Sequence, residues 1–207
     1  MTNPLQDAVM ALPSTHTATN FWLDDSDLSG DFPTTASERR AQLDTHLNRV
    51  RGGGIVLVGE AAGWRGARQS GVAFTSAVTV GLPGTREPTA TTVHRALAEL
   101  GLKDSALLWN AFPLHPHEVR RPGTNRTPTP AELRSGRDAL ALAVDNRRVV
   151  CVGKKAAESV RELLGVPTPA AADVRASDRA VAIRHPANGG TPHFFLHMRT
   201  LATRWGL

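Results

Sequence analysis

Cysteine occurs once in these 207 residues, at Cys151 inside the apolar run Val149–Val152. One thiol excludes an intrachain disulfide framework and any four-cysteine zinc or iron–sulfur site. Its apolar setting reads as a buried, inert thiol rather than a nucleophile. Long hydrophobic runs are also missing: no stretch reaches the roughly 18 apolar residues of a membrane span. The N-terminus lacks the basic-then-apolar pattern of a signal peptide. The expectation is a reduced protein of the bacterial cytosol or nucleoid, with no membrane partner. Lysine is scarce too, since only Lys103, Lys154 and Lys155 appear among 24 basic residues. Arginine suits phosphate through its planar fork, and GC-rich codon usage favours it as well. The net charge of +5 points to a polyanionic partner.

What is present is ordinary globular composition, 41% hydrophobic and 21% charged, at a length that suits one core. Residues 1–33 read as an irregular arm, rich in Pro, Thr, Asn and Asp, that is either mobile or packed across the body. Residues 34–207 read as a single domain. Thr35 and Glu38 have capping-box spacing before a helix at about 35–50. A strand at 54–60, a helix from Pro88, a strand at 106–111 and a helix from Thr129 to about 145 follow. A strand at 148–153, a helix at 155–164, a strand at 180–184 and a helix from Thr191 complete the pattern. Short apolar strands alternating with helices predict a three-layer α/β/α sandwich with a mainly parallel four-stranded sheet.

Three polar clusters stand at strand ends: Gly59-Glu60-Ala61-Ala62-Gly63, Trp109-Asn110, and Arg184-His185-Pro186-Ala187-Asn188-Gly189-Gly190. Ligands of open parallel sheets sit outside the carboxyl ends of the strands, so the three clusters converge on one pocket. No Gly-Lys-Ser/Thr and no dinucleotide fingerprint accompany the glycines, which turns the reading away from nucleotide triphosphates and nicotinamide cofactors. Phe74 offers a face for a planar ring, although an isolated Phe is more often plain core. Asn110 can donate and accept side by side, or cap a turn. His185 can donate to an oxygen that gains negative charge. The loop from Pro113 to Thr129 carries His115, His117, Arg120, Arg121 and Arg126, and is either a phosphate-contacting rim or a solvated loop. No metal site is expected: His193 and His197 are four apart, without the Glu or carboxylate cluster of a zinc protease.

In this order the segments resemble the uracil-DNA glycosylase superfamily over about residues 54 to 205. Gly59-Glu60-Ala61-Ala62-Gly63 is similar to the Gly-Glu-Ala-Pro-Gly of the iron–sulfur branch. Gln69-Ser70-Gly71-Val72-Ala73-Phe74 resembles the Gln-Thr-Gly-Val-Pro-Phe of the single-strand-selective monofunctional branch. Leu107-Leu108-Trp109-Asn110 and Ile183-Arg184-His185-Pro186 resemble the uracil-reading strand and the final His-Pro motif.

The resemblance implies that Phe74 stacks on a flipped base, Asn110 reads its edge and His185 stabilises the departing anion. Gly59, Glu60 and Ala61 would line the pocket floor. Asn188, Gly189 and Gly190 would lie near the strand-separating loop and a phosphate, and Arg120 and Arg121 of the candidate rim are the further residues expected to meet DNA. Ala61 stands where many members carry a water-positioning Asp or Asn, which moves that burden to Glu60. Ala187 replaces the Ser of the final motif, and the cluster cysteines are absent. The implied function is a metal-free and cofactor-free DNA glycosylase, monomeric, acting on DNA with a deaminated base in base excision repair. With no lysine in the motifs, the implied reaction is hydrolysis without lyase chemistry. The alternative is a relative that binds DNA or bases without excision.

Overall fold

The computed structural model describes residues 3–29 and 33–207. Four parallel strands form its centre: β2 (Ile55–Ala61), β3 (Ala106–Phe112), β5 (Arg148–Val152) and β6 (Ala180–Ile183), in the order β3-β2-β5-β6. Around them the chain runs α1 (Pro4–Met10), β1 (Ala18–Thr19), α2 (Ala36–Arg49), α3 (Ala67–Ser70), α4 (Pro88–Glu99) and β4 (His115–Pro116). It continues through α5 (Pro130–Ser135), α6 (Arg137–Val144), α7 (Lys154–Leu164) and α8 (Thr191–Trp205).

Strand side chains alternate between two apolar layers. Val56, Val58, Leu107, Trp109, Val149 and Cys151 pack with Leu43 and Leu47 of α2, Leu140 of α6 and Val160 of α7. Ile55, Leu57, Leu108, Val150, Val152 and Val181 pack with Val93 and Leu97 of α4 and Phe194, Met198 and Leu201 of α8. The three-layer α/β/α sandwich read from the sequence is the architecture observed.

Cys151 is fully buried, and burial pushes its thiol up to about 12. β3 is an edge strand, and the ring of His46 covers part of that edge: its Nε2 accepts from the Leu108 amide at 3.0 Å. Burial, reinforced by Arg49 and His94, lowers His46 to about 3, which keeps that nitrogen an acceptor.

Two expectations are corrected. The segment expected to be irregular contains α1, and β1 pairs antiparallel with β4 through Ala18–Pro116 and Thr19–His115. Phe21 and Trp22 are buried, so this part of the chain packs across the body. The rest of that expectation, over residues 1–2 and 30–32, lies outside the described residues. The helix expected from Thr129 to about 145 is broken at Gly136. A Cβ there would lie 2.8 Å from Pro113 Cδ and 3.0 Å from the Ala111 carbonyl, so only glycine lets the chain press this close to the end of β3. No helix among the described residues is long and apolar enough to cross a membrane.

Candidate active site

β3 and β5 flank β2 on opposite sides, so the chain reverses its direction of travel across the sheet beside β2. The crevice outside such a switch point is where this architecture takes ligands. There a cavity of about 680 Å³ opens, lined from all four strand ends: Gly59–Gly63 at the end of β2, Asn110 in β3, Val152–Lys155 at the end of β5 and His185 after β6. Phe74 completes the wall.

Parallel register sets Gly59 beside Asn110. A Cβ on Gly59 would lie 2.6 Å from Asn110 Oδ1 and 2.8 Å from Phe74 Cζ. The amide and the ring thus both rest against one bare backbone position. Phe74 takes a positive φ of 54°, a strained state for a large side chain. The segment before it holds it there. Thr75 Oγ1 donates to Ser70 Oγ at 2.6 Å or Val72 O at 2.7 Å, and Ser70 Oγ faces Gly66 O and Val72 O, each at 3.2 Å. Trp22 Nε1 donates to the Gly71 carbonyl at 3.1 Å, and Gln69 Oε1 accepts from Thr85 Oγ1 at 3.0 Å. The N-terminal segment therefore braces the loop that presents Phe74.

His185 is half-buried. Its Nδ1 accepts from the Ala187 amide at 3.1 Å. A nitrogen that accepts carries no proton, so the neutral ring holds its proton on Nε2. Burial lowers the pKa of His185 below its ordinary 6.5, and the Glu87 carboxylate opposes that shift. Glu87 also lines the cavity, and its oxygens accept from Thr89 N at 3.0 Å and Ala90 N at 2.7 Å. It caps α4 and brings a carboxyl group to the site. Gly190 lies beneath His185: a Cβ there would sit 2.0 Å from the His185 carbonyl oxygen.

Glu60 lines the cavity with a buried Oε1 that has no hydrogen-bond partner among the described residues. A buried carboxylate oxygen left so is costly unless water or a ligand meets it.

The structure therefore brings together Gly59, Glu60, Ala61, Phe74, Asn110 and His185, all expected at the site. Arg120, Arg121, Asn188, Gly189 and Gly190 lie outside the cavity wall; all but Gly190 are exposed.

His115 and His117 are corrected from the rim reading, because both are buried. His115 Nδ1 lies 2.8 Å from Ala62 O and Nε2 2.9 Å from Pro122 O, tying the turn after β2 to the following loop. Burial lowers His115 to about 4, so the neutral ring donates to only one of the two. Arg126 does line the cavity, but its guanidinium is held by Glu132 at 2.5 and 2.8 Å.

Sequence reasoning missed Glu87, Asn125, Lys154 and Lys155, all of which line the cavity. The last two follow an apolar run as Gly153-Lys154-Lys155, so the strand-end argument used for the other clusters would have found them. Both lysines lie outside the motifs compared in the sequence, which contain none. Among the described residues no group of three or more His, Cys, Asp or Glu could hold a metal ion.

This constellation on an α/β/α scaffold defines a class. Residues 50–193 match the uracil DNA glycosylase superfamily, and the chain belongs to that superfamily. Its structure is similar to the crystal structure of wild-type Pedobacter heparinus SMUG2, with a TM-score of 0.61 over 96% of each chain at 14% identity, a likeness of fold. No curated protein matches the chain. Membership of the superfamily supports a DNA glycosylase-type function with DNA as the partner.

Proposed function

We propose that this protein hydrolyses the N-glycosidic bond of uracil or a related deaminated base in DNA, as the first step of base excision repair in the cytosol. The observation that carries this reading is the convergence of Phe74, Asn110 and a His185 whose proton is held on Nε2.

The base leaves the stack and enters the cavity. Phe74 stacks on its face. The Asn110 amide accepts from N3–H and donates to O4. His185 Nε2–H donates to O2, where charge develops as the bond to C1′ breaks and its electron pair passes to the base. The oxocarbenium-like sugar is met by the negative field of Glu87 and Glu60. Water oriented by Glu60 adds at C1′ and passes its proton to that carboxylate. A neutral imidazole suits this task, because it stabilises the anion without first needing to be charged.

The test is base release from single- and double-stranded DNA carrying uracil, hypoxanthine or xanthine. Release from at least one of these is expected, and release from none at enzyme excess contradicts hydrolysis. Ala61 favours a second reading, a protein that binds without excision, because it places no polar atom where water would be activated. Tight, salt-sensitive binding of the same DNA without release is the outcome that selects it.

A further inference from the structure

Tryptophan occurs four times, and three of the four are buried: Trp22, Trp109 and Trp205. Trp64 is the exception. It is half-buried and lines the cavity on the turn that follows β2. Hydrogen bonds hold its backbone. The Gly63 carbonyl accepts from the Gly66 and Arg68 amides at 3.1 and 3.2 Å, and the Trp64 amide donates to Asn125 Oδ1 at 3.0 Å. Asn125 comes from the loop after β4 and lines the same cavity, so the turn is tied to a second part of the wall. Arg65 is exposed, lines the cavity too, and places its guanidinium carbon 4.9 Å from the centre of the Trp64 ring. The ion pairs among the described residues use other arginines. An indole held in place with a guanidinium over it offers one face chemistry for a base and one charge for a phosphate.

Base reading by Phe74, Asn110 and His185 leaves this surface unused. A cavity of about 680 Å³ matches a drug-sized ligand, which is larger than one pyrimidine ring, so space remains beyond the first base. Trp64 lies at the mouth of that space, since Gly63 and Arg65 on either side of it are exposed. We propose that Trp64 and Arg65 form a second nucleotide subsite: the indole stacks on the unpaired base next to the flipped one, and the guanidinium meets its phosphate. This rests on the proposed function in one respect, that a flipped nucleotide occupies the cavity. The neighbour must leave its own stack to reach Trp64. A paired neighbour resists that by the cost of unpairing, which an unpaired neighbour does not carry. Every base has a stacking face, so the subsite responds to pairing at the neighbouring position and not to which base stands there.

The experiment measures binding, so its result does not depend on base release. The DNA carries 2′-fluoro-deoxyuridine, whose fluorine opposes positive charge at C1′ and keeps the base attached. It is offered as a single strand, as a duplex, and as a single strand lacking the bases on both sides of the uracil. With the other three tryptophans buried, fluorescence quenching on binding reports on Trp64. Wild type is expected to be quenched by the complete single strand, and to lose the quenching and about tenfold in affinity when the flanking bases are missing. Trp64→Ala is expected to weaken binding of the complete single strand by a similar factor and to leave binding of the duplex unchanged, with part of the affinity restored in Trp64→Phe. Arg65→Ala is expected to lower the slope of log affinity against log salt by about 0.7, the loss of one phosphate contact on a single strand. The proposal is overturned by wild-type binding that ignores the missing bases, by no quenching at saturation, by equal weakening of single strand and duplex in Trp64→Ala, or by an unchanged slope in Arg65→Ala. Failure of the glycosylase reading shows separately, as no base released from DNA carrying the unmodified deaminated nucleosides.

Discussion

At His185 one backbone contact decides which ring nitrogen carries the proton. The Ala187 amide donates to Nδ1, so protonating Nδ1 would set two donors face to face. Burial holds the pKa of His185 below 6.5. Base release is therefore expected to be level above pH 7 and to fall on acidification through a midpoint below 6.5, as the imidazolium forms. Glu87 pulls that midpoint upward, so Glu87→Gln is expected to move the acid limb of the single-turnover pH profile to lower pH. An unchanged limb would remove Glu87 from the account. Gly59 offers a second residue-scale test. Ala at this position puts a methyl 2.6 Å from Asn110 Oδ1 and 2.8 Å from Phe74 Cζ, displacing the amide and the ring together. Base release by Gly59→Ala is expected to drop by about 100-fold, as for loss of a positioned donor, and wild-type rates in this variant would contradict the packing described.

Among elements, the loop between α3 and Phe74 is a scaffold held by its own hydroxyls and by a residue far away in sequence. Trp22→Phe removes the indole donor and leaves the buried Gly71 carbonyl without it. The expected loss is about 1–3 kcal/mol of stability by denaturant unfolding, with faster proteolysis of the Phe74 segment. This brace was invisible in the sequence, because nothing in local spacing ties Trp22 to Gly71. The four strands and their flanking helices were legible, since short continuous apolar runs and helical apolar spacing are local signals. The capping boxes at Thr35 and Thr129 were legible for the same reason, and both form. The break at Gly136 was not, because its cause is the approach of Pro113 and Ala111. At the site, Glu60, Phe74, Asn110 and His185 could be placed from strand ends and motifs. Glu87 reaches the cavity only through the tertiary position of α4, and the fourth strand end, Gly153-Lys154-Lys155, was readable but passed over.

For the whole molecule, two buried histidines govern behaviour in acid. His46 is lowered to about 3 and His115 to about 4, against an ordinary 6.5. Below 6.5 the unfolded chain takes up protons at both residues that the folded chain refuses. Their contribution to stability is therefore complete above pH 6.5 and is lost progressively as pH falls toward 4 and then 3. The melting temperature is expected to decline steadily between pH 6.5 and 4.5, and a flat profile there would contradict the burial of both rings. The net charge of +5 gives the molecule a general attraction to DNA that weakens with salt, whereas the proposed function assigns recognition of the flipped base to the cavity. That division makes one measurement decisive: single-turnover base release from uracil-containing DNA by wild type, Asn110→Ala and His185→Ala, at enzyme excess and matched DNA occupancy. Release by the wild type and a fall of about 10²–10³ or more in rate for each variant is the predicted result. Release at wild-type rates in both variants would place the chemistry outside this cavity and contradict the account.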